Sequence, residues 1–198
     1  MPEPTPTSID ANETQVPTTR TRERLFGPRL RRGVLTVHIL ASVAWIGVDL
    51  CTLVLAIVGT TSGDVTTQRS ALVVLGPIAN LLLIPLPLLA LITGIVISLG
   101  TPWKLLRHYW VVVSLVLTTI AAAAVLFELR PRLDQASNLA RGAGDPGSAV
   151  GMLGWQIVTA SSIALVVLCA VTVINVYKPW GRTARGARRV ERRAHGAA

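Results

Sequence analysis

Four long apolar blocks alternate with short polar stretches along this chain, at residues 33–60, 71–99, 102–129 and 153–177. A helix of about 20 apolar residues crosses the roughly 30 Å hydrocarbon layer of a bilayer, and every block reaches that length. The pattern predicts an all-α membrane protein: an antiparallel four-transmembrane-helix bundle within residues 28–179, with disordered tails at 1–27 and 180–198. The first tail is rich in Pro, Thr and Glu and has no apolar run whose burial could offset the entropy of ordering it. The first block is too long for the apolar core of a signal peptide and no cleavage pattern follows it, so it should persist as an anchor.

Proline marks the second block as irregular. Pro77, Pro85 and Pro87 each remove a backbone donor and crowd the preceding turn, so this helix should kink or break. Membrane helices tolerate this when neighbouring groups satisfy the freed carbonyls, and Asn80 is a candidate for that task. Thr101 and Pro102 suit a helix start as N-cap and first-turn proline. The following run, from Trp103 to Trp110, makes an aromatic and basic collar of the kind that sits at the headgroup level. Residues 130–152 read as a polar loop, and its beginning, LRPRLDQASNLAR, has weak helical spacing suited to the interface.

Charge sets the expected orientation. Of the 19 lysines and arginines, six precede the first block, two (Lys104 and Arg107) lie in the collar where the third begins, and seven follow the fourth. The remaining four, Arg69, Arg130, Arg132 and Arg141, lie in the other two connections. The positive-inside rule then predicts that both termini are cytoplasmic. The basic C-terminal tail fits attraction to anionic lipid rather than to nucleic acid. Cys51 and Cys169 lie inside apolar blocks, form no CxxC or zinc spacing, and read as small buried thiols.

The first block carries the unusual chemistry. His38, Ser42, Trp45, Asp49 and Thr52 fall on one helical stripe, which should face into the bundle. An ionisable residue in a span costs about 2.5–3.5 kcal/mol on insertion scales and is a functional candidate by default. Apart from Lys104 and Arg107 in the collar at the start of the third, the blocks hold no lysine or arginine with which Asp49 could pair, so it must carry a proton or contact water or a polar neighbour. His38 and His108 each lie six residues beyond a helix start, roughly 9 Å along the axis, and both helices start on the same side. Two imidazoles at one level could hold a haem axially or contribute to a copper or other metal site, although a hydrogen-bonded structural role is the favoured reading. Glu128, Arg130, Arg132 and Asp134 read as a solvated interfacial charge group. Ser162, Cys169 and Thr172 share one side of the fourth helix, which suggests a packing face. Phosphate-binding loops, HExxH, GxSxG and paired catalytic carboxylates are all missing from the sequence.

The runs VHILASVAWIG, LITGIVISLGTPWKLLRHYWVVVSLVLT and VYKPWGRTARG resemble an uncharacterised group of four-span integral membrane proteins, mostly of high-GC bacteria. The resemblance extends over residues 34–186 and implies the four-span fold already read from the pattern, together with a place in the bacterial inner membrane. It also implies a lysine at the position of Ser114 and a histidine near Glu128 in many members, two polar groups this chain lacks. The first block is loosely similar to copper-resistance and cytochrome b561-type membrane domains. The expected function is that of a non-enzymatic component lying in the lipid bilayer, acting through a homo-oligomer or a membrane partner. Two alternatives stand beside it: a haem- or metal-binding redox or copper-handling protein using His38 and His108, and a small proton-coupled transporter with Asp49 in its cavity.

Overall fold

The computed structural model describes residues 27–100, 109–142 and 146–177, and the fold is built from these. The expected tails, His108 and the collar residues before it lie outside the described residues. The helices are α1 (Pro28–Thr61), α2 (Val65–Leu81), α3 (Pro85–Gly100), α4 (Tyr109–Ala124), α5 (Arg130–Arg141) and α6 (Pro146–Tyr177), with a π segment, Val125–Leu129, between α4 and α5. They compose four helical rods long and apolar enough to cross a membrane: Arg29–Thr61, Val65–Leu99, Tyr109–Arg141 and Ala149–Tyr177. The described residues contain no strand, and the all-α membrane fold is as expected.

The helix ends follow local chemistry. Pro28 occupies the first turn of α1, where its missing N–H costs nothing. The polar connection after α1 is shorter than the expected 61–70, because Asp64 caps α2. Its carboxylate accepts from the Thr67 N–H at 2.8 Å, the Thr67 hydroxyl at 2.6 Å and the Thr66 N–H at 3.4 Å. These bonds, led by the Thr67 hydroxyl, hold the Asp64 carboxyl below the usual carboxylate range.

The second rod breaks at residues 82–84, between α2 and α3. Pro85 and Pro87 lack the N–H groups that the carbonyls of Leu81 and Leu83 would otherwise accept from, so the ladder lapses there. Pro77, by contrast, is absorbed inside α2. The third rod widens just before Pro131, where Arg130 N–H reaches Val125 O across a π turn. This rod then continues through α5, so the LRPRLDQASNLAR stretch is helical, as its spacing suggests, and extends the third rod in place of the expected loop. It buries Leu133, Ala136, Ser137 and Ala140. Within α6, Gly151 has φ 39° and ψ −119°, a conformation that only glycine adopts without strain, and the helix kinks there.

Helix α1 packs against α2, α3 and α6, while the third rod packs against α2, α3 and α6 from the other side. The four rods therefore form a ring with the first and third on a diagonal. Trp45, Leu72, Leu83, Leu129, Leu133 and Ile157 fill its interior. The outer surface is apolar, with Leu40, Val43, Phe127 and Val166 all more than 60% exposed. In water that surface would be a severe liability, whereas in hydrocarbon it is the solvent-compatible face. Cys51 and Cys169 belong to it; both are exposed, contrary to the expectation of buried thiols. Cysteine is apolar enough to face lipid tails as readily as a core.

Candidate functional site

The stripe of α1 lies along the inner side of the ring. Trp45 is 1% exposed, Asp49 and Thr52 are fully buried, and His38 and Ser42 are half-buried. Most of its polar groups are engaged by the backbone. Ser42 donates to His38 O at 2.8 Å and Thr52 to Val48 O at 2.9 Å, the local bond that hydroxyls make when no other acceptor is near.

His38 docks α1 onto α3. Its Nδ1–H donates to Ala90 O at 3.0 Å, with Thr93 Oγ1 at the same distance. The ring lies over Gly94, where an added Cβ would come within 3.1 Å of His38 Cε1. This bond accounts for the position of His38 without a ligand. His108, its expected partner, lies outside the described residues. Among the described residues no three His, Cys, Asp or Glu side chains gather as a metal site would require.

A polar lattice joins α2 to the third rod, running from the end of the bundle that carries the α1–α2 connection to about mid-depth. Ser137 donates to Val73 O at 2.8 Å, the very carbonyl that Pro77 leaves without its helical donor. The expected agent, Asn80, does other work. Its amide donates to Gly76 O at 3.0 Å and to Asp134 Oδ1 at 2.6 Å, while its carbonyl accepts from Arg130 Nη2 at 2.7 Å. Arg130 also lies 3.6 Å from Asp134, and Arg132 pairs with Glu128 at 2.6 Å. Arg69 closes the far end of α5 by donating to Ala140 O and Gly142 O, both at 2.7 Å. Gly76 permits this contact, since a Cβ there would stand 2.8 Å from Ser137 Oγ.

The inner face of the ring beside α1 differs. Asp49 Oδ1 and Oδ2, Trp45 Nε1 and Ser161 Oγ are buried there with no hydrogen-bond partner, as is Ser114 Oγ nearer the start of α4. Two contacts locate Asp49 in depth. Gly59 lies against Leu72, and ten residues along each helix from there lead to Asp49 and Leu82. His38 meets Thr93, and eleven residues along each again lead to Asp49 and Leu82. On the third rod, Ser137 meets Val73 and Arg130 meets Asn80, so Leu82 is level with Glu128 in the π segment. Asp49 thus shares its depth with both helix irregularities. Periodicity marked Asp49 and Trp45, but it missed Ser161: the buried side of α6 carries Val150, Ile157, Ser161, Leu168 and Val171. The suggested face of Ser162, Cys169 and Thr172 is rotated from it, with Cys169 and Thr172 exposed.

Residues 33–179 match the family model described as "Predicted integral membrane protein (DUF2269)". The chain belongs to this family. Neither a curated protein nor a solved structure matches it. The resemblance to a four-span membrane family is therefore borne out, and this DUF2269 protein is an integral membrane protein that sits in the lipid bilayer. The family description names no activity, so chemistry has to be argued from side chains. An open groove of about 380 Å³ beside α6, lined by Arg132, Trp155, Gln156 and Thr159 among others, contains none of the unpartnered buried atoms.

Proposed function

We propose that this DUF2269 protein is a non-enzymatic component of the bacterial cytoplasmic membrane, with both termini cytoplasmic, acting through a membrane partner or its own copies. The observation that carries this reading is the use made of polar side chains. His38, Asn80, Arg130, Asp134, Ser137 and Arg69 all join one helix to another. Polar groups committed to holding rods in register are what a scaffold in the bilayer requires, since lipid tails offer no hydrophobic drive for helix association. The distribution of 15 of 19 basic residues to one side supports the orientation.

The orientation is tested by replacing Cys51 and Cys169 with alanine and adding a cysteine in place of Gly63. A membrane-impermeant maleimide should label it in intact cells, and protection until lysis reverses the topology. The association is tested by cross-linking in native membranes followed by mass spectrometry. Discrete cross-linked species are expected, and a monomer alone would count against the reading. A Soret band in the purified protein would replace it with the haem alternative.

A further inference from the structure

The polar atoms that the helix contacts leave over are concentrated around one carboxyl. Asp49 is fully buried and neither oxygen has a partner. Trp45 Nε1, one helical turn away on the same face, is likewise unpartnered. Ser161 on α6 is at nearly the same depth: Thr60 lies against Gly154, and seven residues along each helix lead to Leu53 and Ser161. Leu53 is four residues from Asp49, about 6 Å along the axis.

Among the described residues, no charged side chain pairs with Asp49. From α2 and α3 the only charged side chain is Arg69, whose guanidinium caps α5 at the end of the bundle. Helix α6 brings Cys169 and Tyr177, both exposed. On the third rod Glu128 is paired with Arg132, and Arg130 with Asp134 and Asn80. On α1 itself, His38 is eleven residues away and bonded to α3. An isolated carboxylate in such a place is strongly disfavoured, so the group must hold a cation of its own. A metal ion calls for about six oxygen ligands, and the unpartnered side chains at this depth offer a carboxyl and one hydroxyl. A proton needs the carboxyl alone.

We infer that Asp49 is an intramembrane proton-binding site, set at the level where the second rod breaks and the third widens. The lapse in the helical ladder at residues 82–84 leaves the carbonyls of Leu81 and Leu83 without helical donors at that depth. Backbone acceptors of this kind, with the Ser161 hydroxyl, are the groups along which a water could deliver or remove the proton.

Infrared difference spectroscopy of the full chain in liposomes tests this directly. The expected result is a protonated-carboxyl C=O band that shifts in D2O and disappears reversibly in alkaline buffer. It should be absent from Asp49→Asn and displaced in frequency in Asp49→Glu, which retains a carboxyl should the asparagine variant fail to fold. Absence of such a band from the wild type, or a band indifferent to D2O and alkali, overturns the inference. A band bleached by Na+ at constant pH overturns it too, in favour of a metal cation.

Discussion

The two polar regions of this bundle are built on opposite terms. Where α2 meets α5, a serine answers a carbonyl freed by proline, an asparagine bridges an arginine and an aspartate, and an arginine caps the helix. Where α1 faces the middle of the ring, a carboxyl, an indole N–H and a hydroxyl are buried with nothing to bond. Both regions contain proline-induced faults in the helix. In the first the freed carbonyl of Val73 has been answered by a neighbouring side chain, and in the second the break at residues 82–84 remains a break. Satisfied polar groups specify how helices dock; unsatisfied ones lower stability and persist where something other than stability is at stake.

Substitutions that exchange these terms should show it. Gly76→Val places a side chain where Ser137 approaches, forcing α2 and α5 apart and breaking the Ser137 bond. It should lose about 2–4 kcal/mol, from overpacking together with a lost hydrogen bond, read as a lowered midpoint in detergent unfolding. Asp49→Leu should move the other way and gain about 1–3 kcal/mol, because an apolar side chain of the same branched shape replaces an unpaired buried polar group. A loss of stability there would mean that Asp49 is partnered after all and that the contrast between the regions is false. Ser137→Ala should lose about 1 kcal/mol by leaving Val73 O without a donor, and a neutral result would reduce the lattice to incidental contacts.

The smallest effect concerns Asp64, outside the spans. Its carboxyl is held below the usual range in the folded protein, so the cap stabilises α2 above the ordinary carboxylate pKa. That stability is lost as pH falls through the lowered value. The acid side of the unfolding-midpoint profile should therefore flatten in Asp64→Ala, and an unchanged profile would remove the cap from the account.

Much of this was legible from residue order. Four blocks of sufficient length demanded four crossing helices, because in hydrocarbon every backbone amide must find its partner within the rod. The spacing of Trp45, Asp49 and Thr52 demanded one inward face, because helical periodicity assigns a side chain its direction before any neighbour is known. Proline in the second block announced a fault.

Tertiary structure decided the rest, since it depends on which rods become neighbours. Pairing α2 with α5 turned a stretch that reads as a polar loop into the continuation of the third rod, and gave Val73 O to Ser137 instead of Asn80. The pairing of α1 with α3 gave His38 a carbonyl 52 residues away. Ser161 became a neighbour in depth of Asp49 only through the register of α6 on α1. Composition and periodicity state what each helix must bury; only packing determines what it is buried against.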